Sequence, residues 1–332
     1  MRGKEEVPPP PLPLSLTGVG FAFWGDGARS IATRQADAFD ADNACGRWAL
    51  RCSLAFSRVC VTALLGLALL PLPAAAQPTQ TSHARDTSAI GDIAPDRPGL
   101  GDGSGIVGRG IWQIENGWSF ESERQDGAVL HELALPLALF RMGVTDRFEL
   151  RVSADGLLSD TSSSPGSRRL SGRSDVEVGA KLKLIESART GFELSLLPIV
   201  SLPIGSNTFT SGGYDPTAEF AWTKSLPRGV SLSGNVTTAS VSEDHHRFTQ
   251  HILTLSVDRD LAAGWNGFAE AFRASSLQRD GAAVWILDTG ATHRLGRQAQ
   301  FDISVGRGVT AAAPDWFVSA GIALRGFLAR AR

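Results

Sequence analysis

The chain has 332 residues, with 32 basic and 34 acidic side chains and a formal net charge of −2. This near balance excludes a strongly basic protein that binds nucleic acid through its surface charge, and it provides no polybasic patch for an anionic membrane. Hydrophobic residues make up 42% of the chain, which suits a soluble domain and a membrane barrel equally well.

A signal peptide is predicted over residues 50–76. An apolar stretch at residues 59–72 follows Arg51 and Arg58, and it is too short to cross the ~30 Å hydrocarbon core as a helix. Three alanines at residues 74–76 then supply a cleavage site, so we expect cleavage after the last of them and export of the remainder. A short buried core helix is the alternative interpretation, which the prolines around residues 71–73 disfavour.

Residues 1–49 precede this signal, contain a Pro-rich run and show no clean periodicity. We interpret them as a disordered extension or as sequence upstream of the true translation start. The three cysteines, Cys45, Cys52 and Cys60, all precede the expected cleavage site. The exported part therefore has no disulfide, no thiolate metal site and no cysteine nucleophile.

From about residue 110 onward, the chain shows the period-two alternation of β-strands. Between residues 176 and 184, for example, aliphatic side chains alternate with Glu177, Lys181 and Lys183. Read in this way, the sequence predicts twelve strands, near residues 111–121, 128–140, 147–155, 173–185, 191–202, 215–224, 229–238, 248–259, 265–274, 283–292, 299–308 and 315–327.

The predicted connections alternate between short and long. The short ones are residues 141–146, 186–190, 225–228, 260–264 and 293–298, and the longer ones are residues 156–172, 203–214, 239–247, 275–282 and 309–314. Outer-membrane barrels have short periplasmic turns, longer outer loops and an even number of strands. The predicted fold is therefore all-β, a single antiparallel transmembrane β-barrel of about 12 strands over residues 110–328. Residues 77–109 are expected to form an irregular periplasmic lead-in.

Charge decides which face of each strand points inward. If the charged face of the strand near residues 174–184 met lipid, each basic residue at mid-depth would cost about 2–4 kcal/mol. Several such penalties rival a net stability of about 5–15 kcal/mol. The charged faces should therefore line the interior, and the candidate solute path consists of Glu115, Glu149, Arg151, Glu177, Lys181, Lys183, Glu219, Glu270, Asp288, Asp302 and Arg325.

Aromatic residues fall on both faces of the predicted strands. Phe268 and Phe272 share the face of Glu270, so the interior should also carry apolar spots. Six tryptophans lie near predicted strand ends or on the apolar face, as in an interfacial belt, although ordinary core aromatics would give the same pattern: Trp112, Trp118, Trp222, Trp265, Trp285 and Trp316.

The sequence offers no pattern for catalysis, a metal or a cofactor. His245 and His246 fall in a predicted loop without the spacing of a zinc site. The nearest Ser–His combination for a barrel lipase is His251 with Ser256, and strand parity places these two side chains on opposite faces. We therefore expect a protein that is not an enzyme and that needs no cofactor.

Several short motifs, taken in order, carry a family resemblance. They are Ile-Ala-Pro-Asp-Arg-Pro at residues 93–98, Gln-Ile-Glu-Asn-Gly at 113–117, Arg-Met-Gly-Val-Thr-Asp-Arg-Phe-Glu-Leu-Arg at 141–151, and the segments 175–181, 202–205 and 288–290. Over residues 93–326 the chain resembles the outer-membrane transporter family named for the meta-pathway of phenol degradation. Ala94 and Pro95 depart from that family, which tends to have a hydroxyl residue before the Asp. The resemblance implies an outer-membrane barrel linked to uptake of small, often aromatic compounds.

Together these features predict a channel or transporter in the outer membrane of a Gram-negative bacterium, for passive uptake of small solutes, aromatic or hydrophobic ones among them. Because no nucleotide motif is present, only the gradient would drive transport. The expected partners are outer-membrane lipids, the solute and the barrel-assembly machinery, with no nucleic acid. The alternatives are a closed structural or adhesive barrel without transport, a lipid-modifying barrel enzyme, and a soluble periplasmic β protein.

Overall fold

A computed structural model describes residues 91–125, 128–162 and 169–328. The predicted extension (1–49), the predicted signal peptide (50–76) and residues 77–90 of the predicted lead-in lie outside the described residues. Within the described ranges, no helix is both long enough and apolar enough to cross a membrane. The regular elements there are one short 3-10 turn, Pro227–Gly229, and the strands β1 Ile111–Gln125, β2 Ala128–Thr145, β3 Phe148–Ser162, β4 Arg169–Gly172, β5 Val176–Ser187, β6 Phe192–Leu202, β7 Asp215–Leu226, β8 Val230–Glu243, β9 His246–Asp260, β10 Trp265–Ala274, β11 Val284–Arg294, β12 Ala299–Gly308 and β13 Trp316–Phe327.

The strands form one antiparallel sheet that closes on itself, because β1 pairs with both β2 and β13. The short strand β4 pairs with residues 158–161 of β3, and β5 pairs with residues 148–154 along the same edge. Strands β4 and β5 therefore share one position in the wall, which has twelve positions in all. The prediction of a single antiparallel barrel of about twelve strands is confirmed.

The connections differ between the two ends of the barrel. At the short-turn end, they span residues 146–147, 188–191, 227–229, 261–264 and 295–298, whereas residues 203–214, 275–283 and 309–315 connect strands at the opposite, long-loop end. The predicted long connection at residues 239–247 is wrong, since β8 and β9 run on to a two-residue turn. In that turn Asp244 and His245 both have positive φ, 49° and 65°. A tight hairpin turn of this kind requires positive φ at both central residues, and Asp and His tolerate it better than most side chains.

Inward and outward side chains alternate along each strand, as β12 illustrates. Asp302 and Ser304 point inward and are 0% and 2% exposed, whereas the outward-pointing Ile303 is 45% exposed. Exposed aliphatic side chains of the same kind recur on the outward faces of the other strands. A continuous apolar exterior of this extent is stable against hydrocarbon rather than against water.

Aromatic rings lie on the outer surface near both rims. At the short-turn end, Trp265 stacks on His293 with 4.5 Å between the ring centroids. At the long-loop end, Phe120 lies 5.4 Å from the His131 ring and 5.5 Å from the Trp316 ring, centroid to centroid. Two rims of outward-facing rings match the aromatic girdles with which transmembrane barrels meet the two membrane–water interfaces.

Candidate functional site in the barrel interior

Residues 93–107, called the inner segment below, lie inside the barrel. The segment begins at the short-turn end, where the Ile93 N–H donates to the Arg297 carbonyl. It later returns to the same end, where the Val107 N–H donates to Glu149 of β3 just before the chain enters β1. Between these points it bonds to inward-facing side chains on all sides of the wall, from β1, β2, β3, β5, β6, β7, β8, β10, β12 and β13. The sequence predicted an irregular periplasmic lead-in over residues 77–109, and residues 93–107 of it lie in the lumen.

Asp96 is the centre of the charged contacts. Its Oδ2 lies 2.7 Å from Nη1 of Arg151, 2.9 Å from Nζ of Lys181 and 3.2 Å from Nη1 of Arg141. Arg151 uses its other terminal nitrogen to hold Asp102 at 2.7 Å. These residues, together with Glu115 and Glu149, form a buried cluster that we call the ion-pair network.

The two aspartates of the inner segment differ in their electrostatic surroundings. Burial alone would raise the pKa of Asp96, but Arg141, Lys181 and Arg151 outweigh burial and hold the pKa well below its ordinary value of 3.8. Burial raises the pKa of Asp102, Arg151 opposes that rise only in part, and the nearby Glu219 carboxyl adds to it. Of the two aspartates, Asp96 is therefore the one whose ionised form the surrounding cations stabilise more strongly.

Inward-facing carboxylates also hold the backbone of the inner segment. Oε2 of Glu115 accepts hydrogen bonds from the N–H groups of Asp96 and Arg97, at 3.0 and 3.1 Å. Oε2 of Glu149 accepts from the Val107 N–H at 2.9 Å, and Oε2 of Glu270 accepts from the Leu100 N–H at 3.2 Å. Because a buried N–H must find an acceptor, these three carboxylates let an irregular segment occupy the lumen without regular secondary structure.

The structure places the predicted site residues in several different environments. Glu115, Glu149, Arg151 and Lys181 come together in the ion-pair network. The others contact separate partners: Lys183 with Glu193 at 2.6 Å, Glu177 with Ser153 at 2.9 Å, Glu219 with Asn235 at 2.7 Å and Thr237 at 2.8 Å, Glu270 with Leu100, Asp302 with Arg97 at 3.2 Å, and Arg325 with Gln298 at 3.0 Å. Asp288 is buried, and neither of its carboxylate oxygens has a hydrogen-bond partner among the residues that the structure describes.

Sequence reasoning missed four residues that organise the interior: Asp96, Arg97, Asp102 and Arg141. Arg141 was assigned to a turn, but β2 continues through it to Thr145 and buries it completely. The other three were assigned to the lead-in. The one signal for them was the Asp96-Arg97-Pro98 motif, which strand periodicity could not place inside a barrel.

An apolar cluster fills the long-loop half of the interior on the β9–β13 side. Its buried members are Leu100, Ile252, Phe272, Ala274, Leu277, Val284, Ile286, Ala313 and Phe317. Leu100 comes from the inner segment, and Leu277 and Ala313 come from the loops at that end. Phe268 and Phe272 both point inward and are buried, which confirms the expectation of apolar spots in the interior.

A cavity of about 340 Å³ lies between the inner segment and strands β7–β12. Residues 93–99 and 101–103 form one side of it, and the barrel wall forms the other with hydroxyl, amide and carboxyl groups such as those of Ser233, Asn235, Thr254 and Glu270. The barrel interior therefore holds both a cavity of small-molecule size, lined largely by polar side chains, and an apolar cluster.

The family model described as "Putative MetA-pathway of phenol degradation" matches residues 95–326, which is 232 of the 332 residues. The chain therefore belongs to this family, and the resemblance predicted over residues 93–326 is confirmed. None of the curated proteins matches the chain.

Solved structures similar to this chain include an outer-membrane channel and two porins. A crystal structure of an outer-membrane channel from Pseudomonas putida F1 superposes with a TM-score of 0.53 at 14% identity, covering 73% of this chain and 100% of that one. The KdgM porin with disordered oligogalacturonate has a TM-score of 0.42 at 10% identity, covering 64% and 98%. The NanC porin has a TM-score of 0.40 at 11% identity, covering 65% and 98%. At these identities the first of these structures shows the shared fold alone.

Proposed function

We propose that this family member is a passive outer-membrane channel for small solutes, and that its own inner segment restricts the pore. The observation that carries the proposal is the 340 Å³ polar cavity, which lies inside a lipid-facing barrel and beside an apolar cluster. A compartment of that size suits a small molecule, since small-molecule sites span roughly 300–1,000 Å³. No step requires an energy source within the chain, so the solute gradient alone drives passage.

The two chemistries of the interior favour small molecules with both an apolar part and a polar group. Such a solute would meet Phe272, Phe317 and Ile286 on the long-loop side of the lumen, and then the hydroxyl and carboxyl groups around the cavity. This combination is consistent with the small aromatic compounds that the family description suggests. The partners in this proposal are the solute, outer-membrane lipids and the barrel-assembly machinery.

The inner segment also favours a second candidate, a closed structural barrel without transport. The inner segment contacts most strands of the wall, and the side chains of the ion-pair network are buried. A lipid-modifying enzyme is disfavoured by geometry, because His251 faces outward while Ser256 is buried on the inward face.

Permeation separates these candidates. The full chain is expressed, purified from outer membranes, shown to migrate faster on gels before boiling than after it, and reconstituted into liposomes. The channel proposal predicts uptake of small aromatic and hydrophilic probes above that of empty vesicles. Uptake equal to that of empty vesicles for every probe, with the barrel shown to be folded, would contradict the channel and support the closed barrel.

A further inference from the structure

Two buried carboxylates face each other on the inner wall. Glu270 of β10 and Asp288 of β11 are directly opposite in the strand register, so their Cβ atoms lie about 4.5–5.5 Å apart. The two residues are 3% and 1% exposed. Within the described part of the chain, Oε1 of Glu270 and both carboxylate oxygens of Asp288 have no hydrogen-bond partner. We call these two residues the carboxylate pair.

The carboxylate pair lacks the positive charge that the other buried acids have. Among the described residues, no basic side chain forms an ion pair with Glu270 or Asp288, while Arg97 pairs with Asp302 instead. Burying a charge without a partner is costly, and two like charges side by side cost more. The pair therefore calls for a positive group that the described chain does not supply.

The surroundings of the pair indicate what kind of positive group fits. Across strands β10 to β13, one inward-facing row runs Glu270, Asp288, Gly306, Phe317, and the row next to it runs Phe268, Gly290, Ser304, Ser319. The glycines leave room for neighbouring rings, since a Cβ at Gly290 would collide with the Phe268 ring and one at Gly306 would collide with the Phe317 ring. Two buried phenyl rings therefore flank Asp288.

Ser304 adds an independent sign of a missing ligand. It is 2% exposed, and its hydroxyl oxygen has no hydrogen-bond partner in the described ranges. It lies diagonally from Asp288 on the same inward face. In the strand register, Asp288 is opposite Gly306 and Ser304 is opposite Gly290, so no other side chain stands between Asp288 and Ser304 at these paired positions. A buried hydroxyl without a partner is rare in folded proteins, and here it lies beside two carboxylates with the same deficit.

We propose that the carboxylate pair, Ser304 and the flanking phenyl rings bind a protonated amine carried on a small apolar or aromatic group. This inference rests on the proposed channel function and specifies the chemistry of its solute. Carboxylates supply the counter-charge, phenyl faces attract an ammonium through cation–π contacts, and the adjoining apolar cluster accommodates the apolar part. The 340 Å³ cavity, lined in part by Glu270 and Phe268, provides adjacent space.

An organic ammonium fits these residues better than a hard metal ion. Calcium takes about 6–8 oxygen ligands, and within the described ranges no group of three or more His, Cys, Asp or Glu side chains is placed to hold a metal. Phenyl rings beside the carboxylates add nothing to a hard-metal site but contribute directly to the binding of an ammonium.

Calorimetric titration of the purified full chain tests the site without requiring transport. The probes are benzylammonium chloride and benzyl alcohol, which share a ring and differ in charge. We expect benzylammonium to bind at least about tenfold more tightly than the alcohol, and D288N and E270Q each to weaken it by at least about tenfold. The matched controls D280N and E186Q change exposed carboxylates, 92% and 56% exposed, and should leave the affinity within about twofold of wild type.

Thermal unfolding keeps the test interpretable for each variant. Because D288N removes an unpaired charge, the ligand-free variant should unfold at the same or a higher temperature than wild type. Benzylammonium should raise the Tm of wild type and of the controls D280N and E186Q more than that of D288N or E270Q. Equal binding of benzyl alcohol, wild-type affinity in D288N, or a Tm that responds to Ca²⁺ or K⁺ but not to benzylammonium would overturn the proposal. A protein that binds benzylammonium but passes no solute would contradict the channel and leave the site intact.

Discussion

The two sides of the barrel interior hold the inner segment by different physics. On the β1–β5 side, Asp96 of the segment meets Arg141, Arg151 and Lys181 in a buried, saturated ion-pair network. On the β10–β13 side, Leu100 of the segment packs into an apolar cluster, and Arg97 adds one ion pair with Asp302. Charge-assisted hydrogen bonds are directional, so the charged side specifies one position for the segment. Apolar contacts are not directional, so the apolar side tolerates many packing arrangements.

This difference indicates that the charged side fixes the inner segment and that the other side is available to a ligand. The acids of the charged side already have partners, while Asp288 on the apolar side has none among the described residues. A solute can therefore gain more from contacts on the β10–β13 side without breaking an existing ion pair. The variants below test the two sides separately, in order of expected effect.

The largest effect is expected from D96N. Removing this charge leaves three buried cations short of their common partner, and breaking a buried pair in this way costs about 3–5 kcal/mol. The docking equilibrium of the inner segment should shift by a factor of about 10² to 4 × 10³, and single-channel conductance in planar bilayers should rise. D280N, which changes an exposed loop carboxylate, should conduct as wild type does. A D96N conductance equal to wild type would show that the network does not hold the segment.

A smaller effect is expected from L100A, which acts on the apolar side. Truncating a buried leucine costs about 2–5 kcal/mol. We expect the low end of this range because Leu100 lies on an irregular segment, which can relax into the cavity that the truncation leaves. Conductance should rise, but less than in D96N. L295A, at an exposed turn leucine, is the matched control. If L100A opened the pore more than D96N, the apolar side would be the one that fixes the segment.

A still smaller effect is expected from E193Q. Glu193 pairs with Lys183 at 2.6 Å, but its side chain is 36% exposed, so solvent screens the pair and its contribution is about 0–1 kcal/mol. Conductance in E193Q should stay near that of wild type at all salt concentrations. A large rise in conductance would mean that ion pairs outside the buried network also fix the position of the inner segment.

Between about pH 5 and pH 8, the ratio of D96N conductance to wild-type conductance should not change with pH. The pKa of Asp96 in the folded protein lies below its ordinary value of 3.8, so its contribution to docking is fully present above that value. The contribution is lost only as the pH falls below 3.8 towards the folded pKa. Conductance ratios measured at several pH values check this. A ratio that shrank between pH 8 and pH 5 would contradict an ionised Asp96.

Much of the wall could be predicted from the sequence, because period-two alternation is a local signal. Residues such as Glu149 and Arg151 alternate with Leu150 and Val152, and charge in lipid is costly enough to decide which face points inward. The turn at Asp244 and His245 was missed because β8 and β9 carry polar residues up to it, which resemble a loop.

The interior arrangement could not be predicted in the same way. The position of Asp96 depends on three cations from β2, β3 and β5, which are brought together only when the barrel closes. Residues 93–107 have no periodicity, because wall carboxylates rather than a strand ladder satisfy their backbone. Likewise, parity placed Asp288 inward but could not show that it lacks a partner.

Disulfide trapping of the inner segment against the wall tests the central claim most directly. The Ser104 hydroxyl oxygen lies 2.8 Å from that of Thr223 on β7, so cysteines at these two positions would be within bonding reach. In oxidised outer membranes, S104C/T223C should form an intrachain disulfide. When added to D96N, it should keep conductance low until a reductant is supplied. If both thiols instead reacted with a membrane-impermeant maleimide and no disulfide formed, the inner segment would not occupy the lumen.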